Sequence, residues 1–249
     1  MTKPAPPGAR TSRRPRSSPR THGTPPHRRH WWRWILGGAV VLVVLAAGAV
    51  AAFIALQPTS APLALPAGAA SAPAGPLAGT WRVSAGSAAG FRVRENTLGF
   101  SNDTVGRTTA VSGAAVLTGN QIASGSFRIN LTTVKVGGKT QPQFATSLDT
   151  RRYPAATVTL ARPVPLSAAF AAGRTVTITA PGELTLRGIT RAVTVTITAR
   201  RDGTVLQAVG TIPVTFATWG ITRRPGYGAI GSLADHGTAE FLLVLRRAG

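Results

Sequence analysis

Between residues 79 and 249 the groups able to pass a proton near neutral pH are seven carboxylates, Glu95, Asp103, Asp149, Glu183, Asp202, Asp235 and Glu240, and one imidazole, His236. General acid–base catalysis needs such groups brought together, and a metal site needs them clustered at ligand spacing. Here the acids fall singly along the chain. His236 has only Asp235 beside it, and an adjacent strand position is a poor one from which to orient a ring. No G-x-S-x-G, H-E-x-x-H or P-loop pattern occurs. The chain also has no cysteine, which removes thiolate nucleophiles, thiolate ligands and disulfides together. These residues predict no enzyme, no metal site and no cofactor.

What the sequence offers in quantity is alternation. In "ELTLRGITRAVTVTITARRDG" (183–203), Leu184 and Leu186 precede a turn, Val193, Val195 and Ile197 follow it, and Thr fills the positions between. Aliphatics on one face and hydroxyls on the other are the pattern of a half-buried strand. The same pattern occurs at 91–95, 126–136, 157–160, 174–180, 204–218 and 238–247, with no helical segment between the strands. Turn residues separate them at 118–120, 136–139, 187–190 and 201–203, the last an Asp-Gly hairpin signature. About eight antiparallel strands, several of about ten residues, predict an all-β fold, an eight-stranded closed barrel rather than a sandwich.

The elements ahead of Gly79 are of another kind. Residues 1–33 hold nine Lys or Arg and no acid, with much Pro, Ser and Thr, and predict a disordered basic arm. Residues 34–56 carry no charge over 23 positions, enough for a transmembrane helix of roughly 35 Å. Arg28, Arg29 and Arg33, with Trp31, Trp32 and Trp34, sit where a cytoplasmic flank and an aromatic belt belong. The expectation is a single-pass signal anchor in the cytoplasmic membrane, N-terminus inside and barrel outside. Secretion after cleavage of a signal peptide is the alternative. Residues 57–78, uncharged and with five prolines, predict a partly extended tether.

An eight-stranded barrel is just wide enough either to be filled by side chains or to hold one slim ligand. Large rings are few along these strands, so the sequence leaves both outcomes open. The candidate lumen residues are Trp81, Phe91, Val93, Phe100, Phe127, Ile129, Phe144, Leu148, Tyr153, Val158, Leu184, Leu186, Val195, Phe216, Trp219 and Phe241. A filled barrel would be an interaction module, presenting a basic face to an envelope partner or an anionic polymer. Nineteen Lys or Arg stand against seven acids from Gly79 onward, so the outer surface attracts anionic groups either way.

The runs "GTWRV" (79–83), "SAAGFRVRE" (87–95), "SLDTRRYPAATVTL" (147–160), "GELTLRGITRAVTVTI" (182–197), "TWGI" (218–221) and "AEFLLVL" (239–245) resemble the YceI-like family of extracytoplasmic lipid-binding proteins. The resemblance covers nearly all of residues 79–249, and G-x-L-T-L-R-G-x-T at 182–190 is its most specific piece. It implies a lipocalin-like barrel that holds a polyisoprenoid or fatty chain and does no chemistry on it, and the basic surface beside an apolar lumen fits a polyprenyl phosphate. It implies a lipid partner and says nothing of protein partners; no nucleic acid is expected, because the chain shows no aromatic-basic interleaving of the kind a single-strand platform needs. Two departures stand out. Relatives are usually secreted, whereas this chain has an apolar run that predicts an anchor. Where relatives commonly show Arg-x-Asp-Phe-Gly-Ile, this chain has "FATWGI" (216–221), so no role of those two charges carries over.

Overall fold

A computed structural model of the protein describes residues 31–55, 60–97, 100–222 and 231–249. The chain divides after Val50 into two units. Helix α1 (Trp31–Ala55), most of which lies in the first, exposes every residue from Val40 to Leu45 by more than half. Among the described residues no helix is long and apolar enough to cross a membrane, so the transmembrane span expected over 34–56 is not supported by the structure. The basic arm expected over 1–33 lies outside the described residues except for 31–33, which begin α1.

The second unit is a β-barrel. Its strands are β1 (Gly79–Val83), β2 (Ala88–Thr97), β3 (Phe100–Thr108), β4 (Val111–Thr118), β5 (Gln121–Asn130), β6 (Lys135–Val136), β7 (Ala155–Leu160), β8 (Val164–Pro165), β9 (Val176–Leu186), β10 (Ile189–Asp202), β11 (Val205–Thr215), β12 (Gly231–Leu233) and β13 (His236–Arg247). Eight of them form the ring β1-β4-β5-β7-β9-β10-β11-β13, which closes where β13 pairs with β1. The closure is shared along β13: Leu245 to Arg247 pair with β1 and Thr238 to Leu242 with β2. β2 and β3 therefore extend β1 and β4 upward, and two staves of the barrel are each broken into two strands. The expected eight-stranded antiparallel barrel is present.

Two details differ from expectation. β3 and β4 gave no alternation signal, because their inward positions include Gly106, Gly113 and Ala115 in place of large aliphatics. Short helices α2 (Pro142–Leu148) and α3 (Ala168–Ala171) also interrupt the strands. At seven and four residues they are too short for a helical period to register in the sequence. α2 starts on a proline at its first turn and ends on Asp149 in a left-handed conformation, φ 50°. Inside the ring the apolar residues form two stacked clusters. The lower one centres on Trp81, Leu206 and Leu245, and the upper one on Leu184, Ile212 and Trp219.

Residues 60–78 have no regular structure, as their prolines imply, yet they are no free tether. They form a strap laid on the barrel wall and held by arginines that donate to main-chain carbonyls. Arg92 Nη2 reaches Ser60 O at 2.8 Å, and Arg200 reaches Gly68 O at 3.0 Å and Pro66 O at 2.7 Å. Arg201 reaches Ala74 O and Gly75 O. At the β10–β11 turn, Ser71 N–H donates to Asp202 Oδ1 at 2.7 Å, and Ala74 N–H to Gly203 O at 3.0 Å. The strap then brings Leu77 against the lower cluster, where Leu77 O accepts from Trp81 Nε1 at 2.8 Å.

The wall beneath the start of the strap is ionic. Glu240, 5% exposed, accepts from Arg92 Nε at 2.8 Å on one oxygen and from Arg107 on the other. Asp103 in turn accepts from Arg92 Nη1 at 3.2 Å and Arg94 Nε at 3.1 Å. Burial by itself lowers the Arg92 pKa, but Glu240 and Asp103 outweigh it and the net shift is upward. Of this set only Glu240 is buried, and leaving such a buried carboxylate without its arginine partners is strongly destabilising.

The bond from the Ser71 amide, which outweighs partial burial, holds the Asp202 carboxyl below its usual range, with help from Arg200 and Gln207. A carboxyl whose folded pKa is lowered stabilises the folded form above the unfolded value of about 3.9, and that contribution is lost as pH falls through the folded value. The protection factor of the Ser71 amide in hydrogen exchange is thus expected to be constant from pH 7 to about 4 and to fall below that. In Asp202→Asn it is expected to be low throughout; equal protection in the variant would show that Asp202 does not hold the strap.

Candidate functional site

The barrel encloses two apolar chambers stacked along its axis, of about 130 and 140 Å³. A cavity of about 150 Å³ lined by aliphatic and aromatic side chains stays dry and takes an apolar guest instead of water. Small side chains leave this volume. Ala115, Ala180, Ala199 and Ala208 line the lower chamber and Ala156 and Ala239 the upper, where larger aliphatics would meet at the axis. Ala89, Ile129, Val158 and Phe241 belong to both walls, so the chambers adjoin at that level.

The rings are kept off the axis by glycines. Phe241 on β13 stands opposite Gly210 on β11, and Phe91 on β2 stands opposite Gly106 on β3. A Cβ added at Gly210 would lie 2.3 Å from Phe241 Cζ, and one added at Gly106 would lie 2.4 Å from Phe91 Cε1. Each ring therefore lies across its neighbour's bare backbone, flat on the wall. Phe91 also meets Phe144 of α2, ring centroids 5.2 Å apart, so α2 covers the upper chamber with an aromatic pair.

Of the sixteen candidate lumen residues, Phe127 and Val195 line the lower chamber, and Ile129, Val158 and Phe241 line both. Phe91, Val93, Phe144, Leu148, Leu184, Leu186 and Phe216 line the upper one. The other four lie elsewhere. Trp81, 1% exposed, packs into the lower cluster beside the strap, and Trp219, 3% exposed, packs in the upper cluster with Nε1 donating to Leu184 O at 3.3 Å. Tyr153 lies over Gly188 at the β9–β10 turn, with the Arg152 guanidinium 5.2 Å from its ring. Phe100 is exposed at the start of β3. Trp81 and Trp219 are thus core residues inside the ring that line neither chamber, and Tyr153 and Phe100 lie outside the chambers. The alanines, with Ile178, Ile212, Leu243 and Leu245, also line the chambers and were not singled out, though period two along β9, β11 and β13 carries all four aliphatics.

His236 and Asp235 do pair, Nδ1 to Oδ1 at 2.8 Å, against the expectation from their adjacency. Both side chains are at least 70% exposed, outside the chambers. Among the described residues no group of three or more His, Cys, Asp or Glu could hold a metal ion.

A model of the YceI-like domain matches residues 81–244, which spans the ring from Trp81 in β1 to Val244 in β13. The chain belongs to the YceI-like family. A solved polyisoprenoid binding domain from Saccharophagus degradans, implicated in plant cell wall breakdown, shares the YceI-like fold with it. The two are 16% identical, cover 69% of this chain and 99% of that one, and superpose with a TM-score of 0.53. BcnA from Burkholderia cenocepacia is 20% identical over 65% of this chain and 98% of its own, with a TM-score of 0.48. No curated protein sequence matches this YceI-like chain.

In Gly210→Val the added methyls displace the Phe241 ring toward the axis and meet Thr196 O, which a Cβ would approach to 2.6 Å. Overpacking of this kind costs about 1–3 kcal/mol. The expected outcome is a lowered denaturant midpoint together with loss of uptake of an apolar fluorescent dye. Unchanged uptake would show that the Phe241 level does not limit the bore.

Proposed function

We propose that the barrel binds or carries one long isoprenoid or acyl chain in its adjoining chambers and performs no chemistry on it. The observation that carries this reading is the pair of nearly all-apolar chambers meeting at the Phe241 level. Membership of the YceI-like family and the fold shared with a polyisoprenoid binding domain support it. Ten methylenes buried there contribute about 8 kcal/mol. Association costs of about 4–15 kcal/mol offset that, so tight binding requires a longer chain. The chambers weigh against the alternative, a filled barrel serving as an interaction module.

The test is extraction of the purified full-length protein with organic solvent, followed by mass spectrometry of the extract. A stoichiometric long-chain lipid is expected, and the delipidated protein is expected to take up a C20 isoprenoid in preference to a C10 one. Empty protein that takes up neither chain overturns the proposal.

We place the domain on the outer side of the cytoplasmic membrane, held there through the uncharged run at 34–56, with secretion after cleavage as the alternative. This rests on the sequence, Arg28, Arg29 and Arg33 before an apolar run, and on the apolar exposure of Val40 to Leu45. Carbonate washing of membranes is expected to leave the protein in the pellet, and its release into the wash would rule the anchor out.

A further inference from the structure

The end of the barrel around the lower cluster carries charge of almost one sign. The segments that build it, 60–88, 111–126, 160–180, 197–209 and 241–249, hold a single acid, Asp202, which accepts from the Ser71 amide and the Gln207 side chain. Against it stand seven arginines and no lysine. Arg200 and Arg201 are buried and hold the strap. Arg82, Arg162, Arg174, Arg246 and Arg247 are exposed, and among the described residues none of these five is ion-paired. On the strands that extend the barrel upward, by contrast, Arg92, Arg94 and Arg107 are matched with Asp103 and Glu240.

Two of the five face each other. Arg82 on β1 and Arg246 on β13 are directly opposed in the antiparallel register where the ring closes. Like charges so placed destabilise a sheet, and the one acid of this end is engaged elsewhere. An anionic surface laid over the pair relieves that repulsion.

The five do not stand in file. Arg82, Arg246 and Arg247 lie on the adjacent strands β1 and β13, whereas Arg162 follows β7 and Arg174 precedes β9. In the ring, β4 and β5 separate these two groups on one side and β10 and β11 on the other, so the arginines occupy opposite sides of one rim. A linear polyanion in a groove meets cations in a row, whereas a plane of head groups meets a whole rim at once. We propose that the lower end of the barrel docks on an anionic lipid surface. The inference is independent of what fills the chambers. Each arginine at such a surface contributes about fivefold in affinity, over a screening length of about 8 Å at physiological salt.

The chain has no cysteine, so one introduced thiol carries a donor dye in the full-length protein. Asn120→Cys places it at the exposed β4–β5 turn of the lower end, and Thr140→Cys at an exposed position just ahead of α2 at the upper end. Each labelled protein is reconstituted into vesicles of phosphatidylcholine, alone or mixed with phosphatidylglycerol, that contain an acceptor-labelled lipid. Energy transfer is expected to be greater from position 120 than from position 140 in the anionic vesicles only. The difference is expected to vanish at about 1 M salt, where the screening length is about 3 Å. Arg82→Gln/Arg246→Gln is expected to weaken docking about 25-fold, bringing transfer from position 120 to its neutral-vesicle value. Its denaturant midpoint is expected to be no lower than that of the wild type, because the opposed charges are gone, which separates lost docking from lost folding. Arg162→Gln/Arg174→Gln, away from the β1–β13 closure, is expected to weaken docking in the same way. Equal transfer from the two positions in anionic vesicles, a difference that persists in neutral ones, or one that both variants retain overturns the proposal. So does association with soluble polyphosphate that the variants lose while the vesicles stay undocked, which would make the partner a polymer. None of these outcomes bears on the uptake of a chain by the chambers.

Discussion

Closing eight strands into a ring points every inward side chain at a common axis, where space is limited. A phenylalanine there would ordinarily reach across the bore. Here Phe241 and Phe91 stand opposite Gly210 and Gly106, so each ring lies on a stretch of backbone that has no side chain. The apolar area of the rings is still buried and still stabilises the sheet, but their volume goes into the wall. Both chambers depend on this arrangement, supported by the alanines around them.

The floor and the roof follow from the same limit. Trp81 and Trp219 pack in the lower and upper clusters, and each indole N–H is satisfied by a carbonyl, Leu77 O and Leu184 O. α2 supplies Phe144 to the upper chamber and Ser147 to a polar cavity beside it. A seven-residue helix thus sets the boundary between a greasy space and a charged one.

Much of this was legible in the sequence. Period two along β9, β10, β11 and β13 revealed the barrel, and twelve of the sixteen candidate residues line the chambers. What escaped was information carried by pairs across strands. Gly210 reads as a weak point in a strand until Phe241 is known to face it. β3 and β4 gave no signal because small residues do not advertise a face, although those residues create the space. Trp81, Trp219, Tyr153 and Phe100 do not line the chambers, and the sequence alone does not separate a tryptophan packed into the core from one facing a cavity. The strap escaped because Pro-, Ala- and Ser-rich composition describes a chain unable to fold by itself and is silent about docking on a partner surface.

That docking is made almost wholly through the strap's own peptide groups: Arg92, Arg200 and Arg201 grasp carbonyl oxygens, and proline, which lacks an amide hydrogen, presents such oxygens as well as any residue does. The grip is blind to most side chains in 60–76. Exchanging alanine, serine and proline for one another in this stretch therefore leaves every acceptor that the arginines grasp in place.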